Sequence, residues 1–260
     1  MVQVWSAAFG PVLADPMSAA ILTDFDGTLS PIVTDPQAAA PLPGAVDVLR
    51  ALGERLALVG VVSGRPVAYL RQQLGDELWL SGLYGLESYS GGALVELPEA
   101  AEWREVVTVA TQRAAAAFGG AVEPKGLSLT VHFRAEPELG PAVRAWADDE
   151  ATRSGLVVRP AKASIELHPP VPADKGSVVE RAAAGLRAVC FLGDDVGDLP
   201  AFAALDRLAT AGVHVVKVAV STEEAPVAVL DRADVVVDGP EGALALLAWL
   251  AGELGQTDAS

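Results

Sequence analysis

Two aspartates separated by one residue follow an apolar segment near the start of the chain. The stretch reads AILTDFDGT, so that Asp24 and Asp26 are followed at once by Gly27 and Thr28. Carboxylates beside a hydrophobic strand are costly to bury unless a metal ion, a cationic partner or solvent compensates their charge. A carboxylate can attack a phosphate monoester when a divalent ion relieves the repulsion between the two anions. The pattern therefore indicates phosphoryl-transfer chemistry, although a surface turn can carry the same letters.

Each of these four residues has an expected role in that chemistry. Asp24 would be both nucleophile and metal ligand, passing through an aspartyl-phosphate. Asp26 would protonate the leaving oxygen and later help to activate water; the predicted metal contact of Asp26 comes from its main chain. Gly27 allows the sharp turn, and Thr28 offers a hydroxyl to the phosphate. We expect Mg²⁺, which prefers a few carboxylates together with waters and substrate oxygens.

Two later segments offer groups that bind phosphate. In VVSGRP, the Ser63 hydroxyl and the N–H groups around Gly64 lie at an expected helix start, where anions bind readily. In ADKGS, Lys175 could reach the phosphoryl group as a point charge. The alternatives are that Ser63 or Arg65 only caps the following helix, and that Lys175 faces solvent.

A third segment, LGDDVGD, supplies more carboxylates after an apolar run. Asp194 alone, or Asp194 with Asp198, would complete the metal site. One of the three aspartates, Asp195 included, could serve only to cap the helix that begins near Leu199. The choice between Asp195 and Asp198 as the additional ligand stays open at this point.

These residues need a scaffold that brings them to one place. Apolar, β-branched segments predict buried parallel strands at 20–25, 56–63, 188–193, 213–220 and 233–238. Ala- and Leu-rich stretches between them predict helices at 43–55, 66–75, 174–186, 198–208 and 240–254. This alternation indicates an α/β fold with a doubly wound parallel sheet, and ligands gather at the carboxyl ends of its strands.

The middle of the chain predicts a smaller α+β unit. Its expected elements are helices at 101–118 and 139–155 and strands at 127–134, 156–161 and 164–169. Gly- or Pro-rich crossings flank it, so we predict a core of residues 1–90 and 171–260 with an inserted cap at 91–170. The first 15 or so residues and the tail at 255–260 are expected to be poorly ordered.

The charge and composition of the chain disfavour some classes of binding partner. A net charge of −16 disfavours nucleic acid. Cys190 is the only cysteine, so an intrachain disulfide is excluded. The chain starts without the positive charge of a signal peptide, and its apolar runs are too short to span a bilayer. We expect a cytoplasmic monomer that acts on a small molecule and has no nucleic-acid or membrane partner.

The ordered motifs resemble a known superfamily. Asp24-Phe-Asp26-Gly-Thr, Ser63, Lys175 and the aspartates of GDDVGD are similar to the four motifs of the haloacid dehalogenase (HAD) superfamily of phosphotransferases. The long insert between Ser63 and Lys175 resembles the members whose cap follows the second motif, the C2 type. The resemblance implies a Rossmann-like HAD core that carries a substrate-specificity cap.

Finer motifs resemble the trehalose-6-phosphate phosphatase family of that superfamily. The stretches DFDGTLSPI, VEPKGLSLTVHFR and KASIELHPPVPADKG are each similar to family segments. The resemblance implies substrate contacts from Glu123, Lys125, His132, Lys162 and Glu166, to which we add Arg65 and Glu87 as candidates. The alternatives are that His132 only packs in a strand and that Glu123 and Lys125 only pair at the surface.

Three positions depart from the family pattern. Gly197 and Leu199 stand where the fourth motif has Thr and Glu, and Tyr84 stands where the family shows His in a G-x-H-G pattern. The resemblance implies a Mg²⁺-dependent phosphatase that converts trehalose 6-phosphate into trehalose and phosphate. The alternatives are a phosphatase for sucrose phosphate or for glucosyl- or mannosyl-phosphoglycerate, a sugar-phosphate sensor without turnover, and an α/β binding module.

Overall fold

The computed structural model describes residues 2–33, 35–161, 163–222 and 225–257. The strands are β1 Ala19–Thr23, β2 Leu58–Val62, β3 Trp79–Gly82, β4 Glu87–Ser90, β5 Ala93–Glu96, β6 Val122–Pro124, β7 Leu129–His132, β8 Val157–Ala161, β9 Ser164–His168, β10 Ala188–Gly193, β11 His214–Ser221 and β12 Val235–Asp238. The α-helices are α1 Val2–Ala14, α2 Ala45–Gly53, α3 Val67–Leu74, α4 Pro98–Ala101, α5 Arg104–Phe118, α6 Gly140–Ser154, α7 Lys175–Ala182, α8 Leu199–Thr210, α9 Val227–Leu230 and α10 Gly239–Thr257.

An eight-stranded sheet organises the larger part of the chain. Its order is β12-β11-β10-β1-β2-β3-β4-β5, and the pairs from β12 through β3 are parallel. The chain leaves β1 toward β2 on one side and returns later to β10 on the other side, so the strand order reverses at β1. Such a reversal places a ligand crevice at the carboxyl ends of the two adjacent strands. The predicted doubly wound α/β fold is confirmed.

Helices cover both faces of this sheet. Successive strand residues point to opposite faces, and Ile21 packs in the buried cluster that includes Phe9, Leu49 and Leu250 of helices α1, α2 and α10. Its neighbour Leu22 packs in a second cluster with residues of α7 and α8. The strand is therefore buried on both sides, which explains why its first four residues are all apolar.

The short strands at one edge escaped prediction. β3, β4 and β5 have only four residues each, and β4 pairs antiparallel with β3. Segments this short give no alternation long enough to identify a strand. The sheet is therefore mixed, with an antiparallel addition at the edge that follows β3.

A second compact unit is built from the middle of the chain. The two units are Met1–Leu94 with Ala173–Ser260, and Val95–Pro172. The second unit contains an antiparallel sheet of order β6-β7-β9-β8. One face of this sheet packs on helices α5 and α6, through residues such as Val131, Ile165 and Val107. The predicted role of this unit as a cap stays a prediction.

The N-terminal segment is ordered, so the prediction of a poorly ordered start is wrong. Helix α1 buries Trp5, Phe9 and Val12, which recur at helical spacing on one face. Phe9 meets Trp249 of α10 edge to face, with ring centroids 6.1 Å apart. At the other end α10 extends to Thr257, and residues 258–260 lie outside the described residues. Among the described helices, none has the length and apolarity that crossing a membrane requires.

Replacing Phe9 with Ala should destabilise the protein. The side chain is 1% exposed, so its removal leaves a cavity that should lower the free energy of unfolding by about 3 kcal/mol. Val4→Ala on the same helix is the matched control, because Val4 is 56% exposed. Urea unfolding followed by circular dichroism measures both. Equal stabilities of the two variants would show that α1 contributes nothing to the core.

Candidate active site

The carboxyl ends of three neighbouring strands carry the predicted residues. Asp24 follows β1, and its backbone N–H donates to the Leu192 carbonyl of β10 at 2.9 Å. Asp194 directly follows β10, and Ser63 directly follows β2. Because these strands are parallel and adjacent, their ends lie at one edge of the sheet.

Three carboxylates and one ammonium form a buried cluster there. Asp24, Asp194 and Asp198 each offer a carboxylate oxygen, and these oxygens lie within 4.8 Å of one another. The Nζ of Lys175 lies 2.7 Å from Asp24 Oδ1 and 2.6 Å from Asp198 Oδ1. All four side chains are buried. The predicted nucleophile, the phosphate-binding lysine and two metal ligands therefore lie together.

This cluster holds more negative than positive charge. Burial raises the pKa of Asp24 well above its usual value; Lys175 opposes that shift, whereas Asp198 and Asp194 add to it. For Lys175, burial alone would lower the pKa, but Asp198, Asp24 and the phenol of Tyr84 outweigh it and raise the pKa above the usual value. Lys175 is therefore a permanent cation, and one ammonium has to serve three carboxylates.

Helix α7 begins so that Lys175 points into the cluster. Asp174 precedes it, and its carboxylate accepts a hydrogen bond from the Ser177 N–H at 2.7 Å. The Ser177 hydroxyl closes the capping box by accepting from the Asp174 N–H at 3.2 Å. A capping box satisfies N–H groups at a helix start and fixes where the helix begins. The sequence ADKGS thus sets the position of Lys175.

The aspartates of the fourth motif, Asp195 and Asp198, make different contacts. The Asp195 carboxylate accepts from the Val196 N–H at 2.5 Å and caps the short turn that follows. Asp198 lies in the cluster, and its Oδ2 accepts from the backbone N–H groups of Asp194 and Asp195 at 3.0 and 3.1 Å. Of the two alternatives left open by the sequence, the structure brings Asp198 rather than Asp195 to the site.

A divalent cation fits this donor set. The carboxylate oxygens of Asp24, Asp194 and Asp198 are hard ligands, and their excess of buried negative charge is what a cation would relieve. The carboxylate of Asp26 is not part of the cluster, and its predicted main-chain contact stays a prediction. The three carboxylates could hold a metal ion.

The turn after Asp26 is shaped around Asp194. Gly27 has a φ of +81°, and a Cβ at this position would lie 2.1 Å from Asp194 Oδ2. Only glycine adopts this conformation without strain and leaves room for the carboxylate. The hydroxyl of Thr28 is fully buried and has no hydrogen-bond partner among the residues that the structure describes. Such an orphaned donor at the site suits a ligand oxygen.

Arg65 makes a contact that the sequence analysis did not predict, and its role in substrate binding stays a prediction. Its Nε and Nη2 donate to Asp26 Oδ2 and Oδ1 at 2.8 and 2.7 Å, a bidentate pair. Its guanidinium also lies over the Tyr69 ring, 4.6 Å from the centroid. The Ser63 hydroxyl accepts from the Arg65 N–H at 3.1 Å, which leaves its own O–H as a donor. Arg65 therefore contacts the predicted acid/base directly, which was not foreseen.

Glu87 also has a role that the sequence did not predict. This buried residue begins β4, and its Oε1 accepts from the Val67 N–H at 2.5 Å. Val67 is the first residue of α3, so Glu87 satisfies one N–H at the start of that helix. Glu87 therefore supports the start of α3, and its predicted contact with substrate stays a prediction.

The second unit gathers most of its predicted residues on one sheet face. Strand register places Glu123, Thr130, Glu166 and Arg159 in one row across β6, β7, β9 and β8. Side chains in one row share a face. Thr130 and Arg159 escaped the sequence analysis, and the register of the four strands is the signal that would have found them.

Polar contacts connect members of this face. His132 Nε2 lies 2.8 Å from Glu123 Oε2, and Lys125 Nζ lies 3.9 Å from the same oxygen. Glu166 is buried, and its Oε1 finds no hydrogen-bond partner in the described part of the chain. His132 is therefore a hydrogen-bonding residue and not only a packing one. Lys162, also predicted to bind substrate, lies outside the described residues.

Known proteins resemble this chain in fold and sequence. A haloacid dehalogenase-like hydrolase from Bacteroides thetaiotaomicron superimposes with a TM-score of 0.58 at 17% identity, over 89% of this chain and 99% of that one. The C-terminal domain of C. albicans trehalose-6-phosphate phosphatase gives a TM-score of 0.76 at 26% identity, over 93% of this chain and 95% of that one. The chain therefore has the fold of haloacid dehalogenase-like hydrolases, with aspartates at the strand ends.

Sequence comparison identifies the family within that class. The trehalose-phosphatase profile matches residues 22–235. The trehalose-phosphate phosphatase of Mycobacterium leprae is 32% identical over 230 residues, covering 78% of this chain and 52% of that protein. The chain belongs to the trehalose-phosphatase family, as its motifs predicted. It spans about half the length of the mycobacterial relatives that it matches.

Metal binding should depend on the cluster. We expect Mg²⁺ to raise the melting temperature of the wild type, because a ligand that binds only the folded state stabilises it. Asp194→Asn removes one charged ligand and should weaken this binding by about tenfold or more. Asp149→Asn, at an exposed position of α6, is the matched control and should bind as the wild type does. Unchanged binding in Asp194→Asn would place the metal elsewhere.

Proposed function

We propose that this protein is a Mg²⁺-dependent phosphatase that hydrolyses trehalose 6-phosphate to trehalose and phosphate. The observation that carries the proposal is the buried group of Asp24, Lys175 and Asp198 beside Asp194. The names of the relatives and the family membership support the choice of substrate. A protein that only senses sugar phosphate has no need of a buried carboxylate in a nucleophile's place.

Asp24 is the nucleophile of this proposal. One of its oxygens is held by Lys175 at 2.7 Å, which fixes the carboxylate at the end of β1. Attack of the carboxylate on phosphorus forms an aspartyl-phosphate and breaks the bond to the sugar oxygen; water then releases phosphate and regenerates Asp24. A divalent cation bound by the three aspartates would lessen the repulsion between the carboxylate and the phosphate dianion.

Asp26 moves the protons in this scheme. A protonated Asp26 donates to the leaving sugar oxygen, and the resulting carboxylate takes a proton from the attacking water. The bidentate pair with Arg65 orients the Asp26 carboxylate through both of its oxygens. Before the first step, Asp26 has to break its contact with Arg65 and form one with the leaving oxygen of the substrate. Arg65 thus holds the acid/base in place between turnovers.

Thr28, Ser63, Gly64 and Lys175 bind the phosphoryl group in this proposal. The orphaned hydroxyl of Thr28 and the O–H of Ser63 are donors for phosphate oxygens, and Lys175 adds a fixed positive charge. Gly64 belongs to the same proposal, because it lies next to Ser63 in the loop that leads into α3. Donors of this kind match a dianion and are independent of the sugar.

The sugar hydroxyls are assigned to the polar face of the smaller unit. Glu123, Lys125, His132 and Glu166 on this face provide charged donors and acceptors, which a disaccharide requires in number. Thr130 and Arg159 share the row and extend the same surface. The predicted contact from Lys162 belongs to the same proposal.

Phosphate release from a panel of sugar phosphates tests the proposed activity. Wild-type protein with Mg²⁺ should turn over trehalose 6-phosphate faster than sucrose 6-phosphate, glucose 6-phosphate or a sugar phosphoglycerate, and EDTA should abolish release. Asp24→Asn should lower turnover by about a thousandfold or more, because it removes the nucleophile. Asp148→Asn, an exposed carboxylate of α6, serves as the matched control.

Two results would contradict this scheme in different ways. Full activity in Asp24→Asn would show that another group is the nucleophile. Preference for a different sugar phosphate would remove the substrate assignment and leave the chemistry of the aspartates standing.

Glu123→Gln tests the assignment of the sugar. The amide cannot hold His132 and Lys125 by charge, so the KM for trehalose 6-phosphate should rise by about tenfold. Turnover of p-nitrophenyl phosphate, which has no sugar, should stay as in the wild type. Glu105→Gln on the exposed side of α5 is the matched control. A parallel loss with both substrates would instead indicate a general defect in folding.

A further inference from the structure

The turn that follows β3 has an unusual backbone. Leu83 and Tyr84 have φ values of +51° and +57°, and Gly85 follows at +100°. Left-handed conformations are unfavourable for residues with a Cβ, and two in succession persist only where the surroundings impose them. Such strain is a reason to look for function at this turn.

Hydrogen bonds tie this turn to the phosphate-binding loop. The Tyr84 N–H donates to the Ser63 carbonyl at 2.9 Å, and the Leu83 N–H donates to the Arg65 carbonyl at 3.0 Å. The Ser63 N–H in turn donates to the Ser81 carbonyl at 2.9 Å. The strained backbone therefore holds Tyr84 at a fixed place beside Ser63.

The ring of Tyr84 lies directly against that loop. A Cβ on Gly64 would lie 2.6 to 2.8 Å from Cζ, Cε2 and the hydroxyl oxygen of Tyr84. On the opposite edge, a Cβ on Gly197 would lie 3.8 Å from Cε1. The ring thus passes between the second and the fourth motif, with its hydroxyl end at Gly64.

We propose that Tyr84 contacts the substrate: its phenol hydroxyl donates a hydrogen bond to the phosphoryl group bound at Ser63, Gly64 and Lys175. The inference rests on the proposed phosphatase function and adds a residue to its phosphate site. The hydroxyl end of the ring lies against Gly64, next to Ser63, and a phosphoryl oxygen bound at this loop is a strong acceptor for a phenol O–H. Tyr84 is half-buried.

Two residues that depart from the family motifs, Tyr84 and Gly197, lie next to each other in the structure. Tyr84 stands where the resemblance shows His, and Gly197 stands where it shows Thr. The structure places these two residues side by side. A side chain at position 197 would extend toward the Tyr84 ring from a Cβ 3.8 Å away. The two departures therefore meet in space beside the proposed phosphate site.

Tyr84→Phe separates the hydroxyl from the ring. The variant keeps the ring and its packing against Gly64 and Gly197 and removes the phenol hydroxyl. With Mg²⁺ present, we expect inorganic phosphate to bind about tenfold more weakly by calorimetry, because a hydrogen bond to a charged group is lost. The KM for trehalose 6-phosphate and for p-nitrophenyl phosphate should rise by the same factor, while the melting temperature stays unchanged.

Tyr89→Phe is the matched control. Tyr89 lies on β4 of the same hairpin, and its ring packs under the guanidinium of Arg71, 4.2 Å from the centroid. Removing this hydroxyl should leave phosphate affinity and both KM values as in the wild type. A loss of phosphate affinity in Tyr89→Phe equal to that in Tyr84→Phe would contradict a specific contact at Tyr84.

The outcomes separate the inference from the proposed function. Wild-type phosphate affinity and KM in Tyr84→Phe would overturn the inference, because they would show that the hydroxyl does not contribute to phosphate binding. Failure of the wild type to bind inorganic phosphate would overturn it as well. If trehalose 6-phosphate is not hydrolysed but phosphate affinity still depends on the hydroxyl, the substrate assignment fails and the role of Tyr84 stands.

Discussion

The ion pairs of Lys175 with Asp24 and Asp198 are the constraint on which the site depends. A buried ammonium needs compensating carboxylates, and buried carboxylates need a cation, so neither side tolerates the loss of the other. Asp198 also accepts two backbone hydrogen bonds from the turn that carries Asp194. One electrostatic group therefore joins β1, α7 and the loop after β10. The remaining features of the site are arranged around this junction.

Local sequence was sufficient to predict the parts of the site that follow strands. Asp24, Ser63 and Asp194 each end a continuous apolar run, and in parallel sheets such ends converge, so their proximity followed from pattern alone. Lys175 was proposed because a lysine at a helix start could reach a phosphoryl group, and the capping box that positions it is seen only in the structure. The core strands and helices were identified for the same reason, with ends that differ by a few residues.

The contacts that escaped prediction join residues distant in sequence. Nothing near Arg65 shows that it pairs with Asp26, and nothing near Glu87 shows that it satisfies an N–H of α3. Helix α1 was missed although its apolar residues recur at helical spacing, and its partner, Trp249 of α10, is distant in sequence. Tyr84 and Gly197 were read as separate departures, since only the folded chain brings them together. Such contacts depend on tertiary structure, and the periodicity of apolar residues along the sequence does not predict them.

The position of β1 in the sheet has a consequence for folding. β1 pairs with β2 from the same part of the chain, but its other neighbour, β10, comes much later in the sequence. Closing so long a loop is slow, and parallel pairing across it is a late event. On a ribosome, Asp24 is therefore made long before Lys175 and Asp198 are available to it. A nascent chain can form its first strands early, but the candidate active site is complete only after β10 has joined the sheet next to β1.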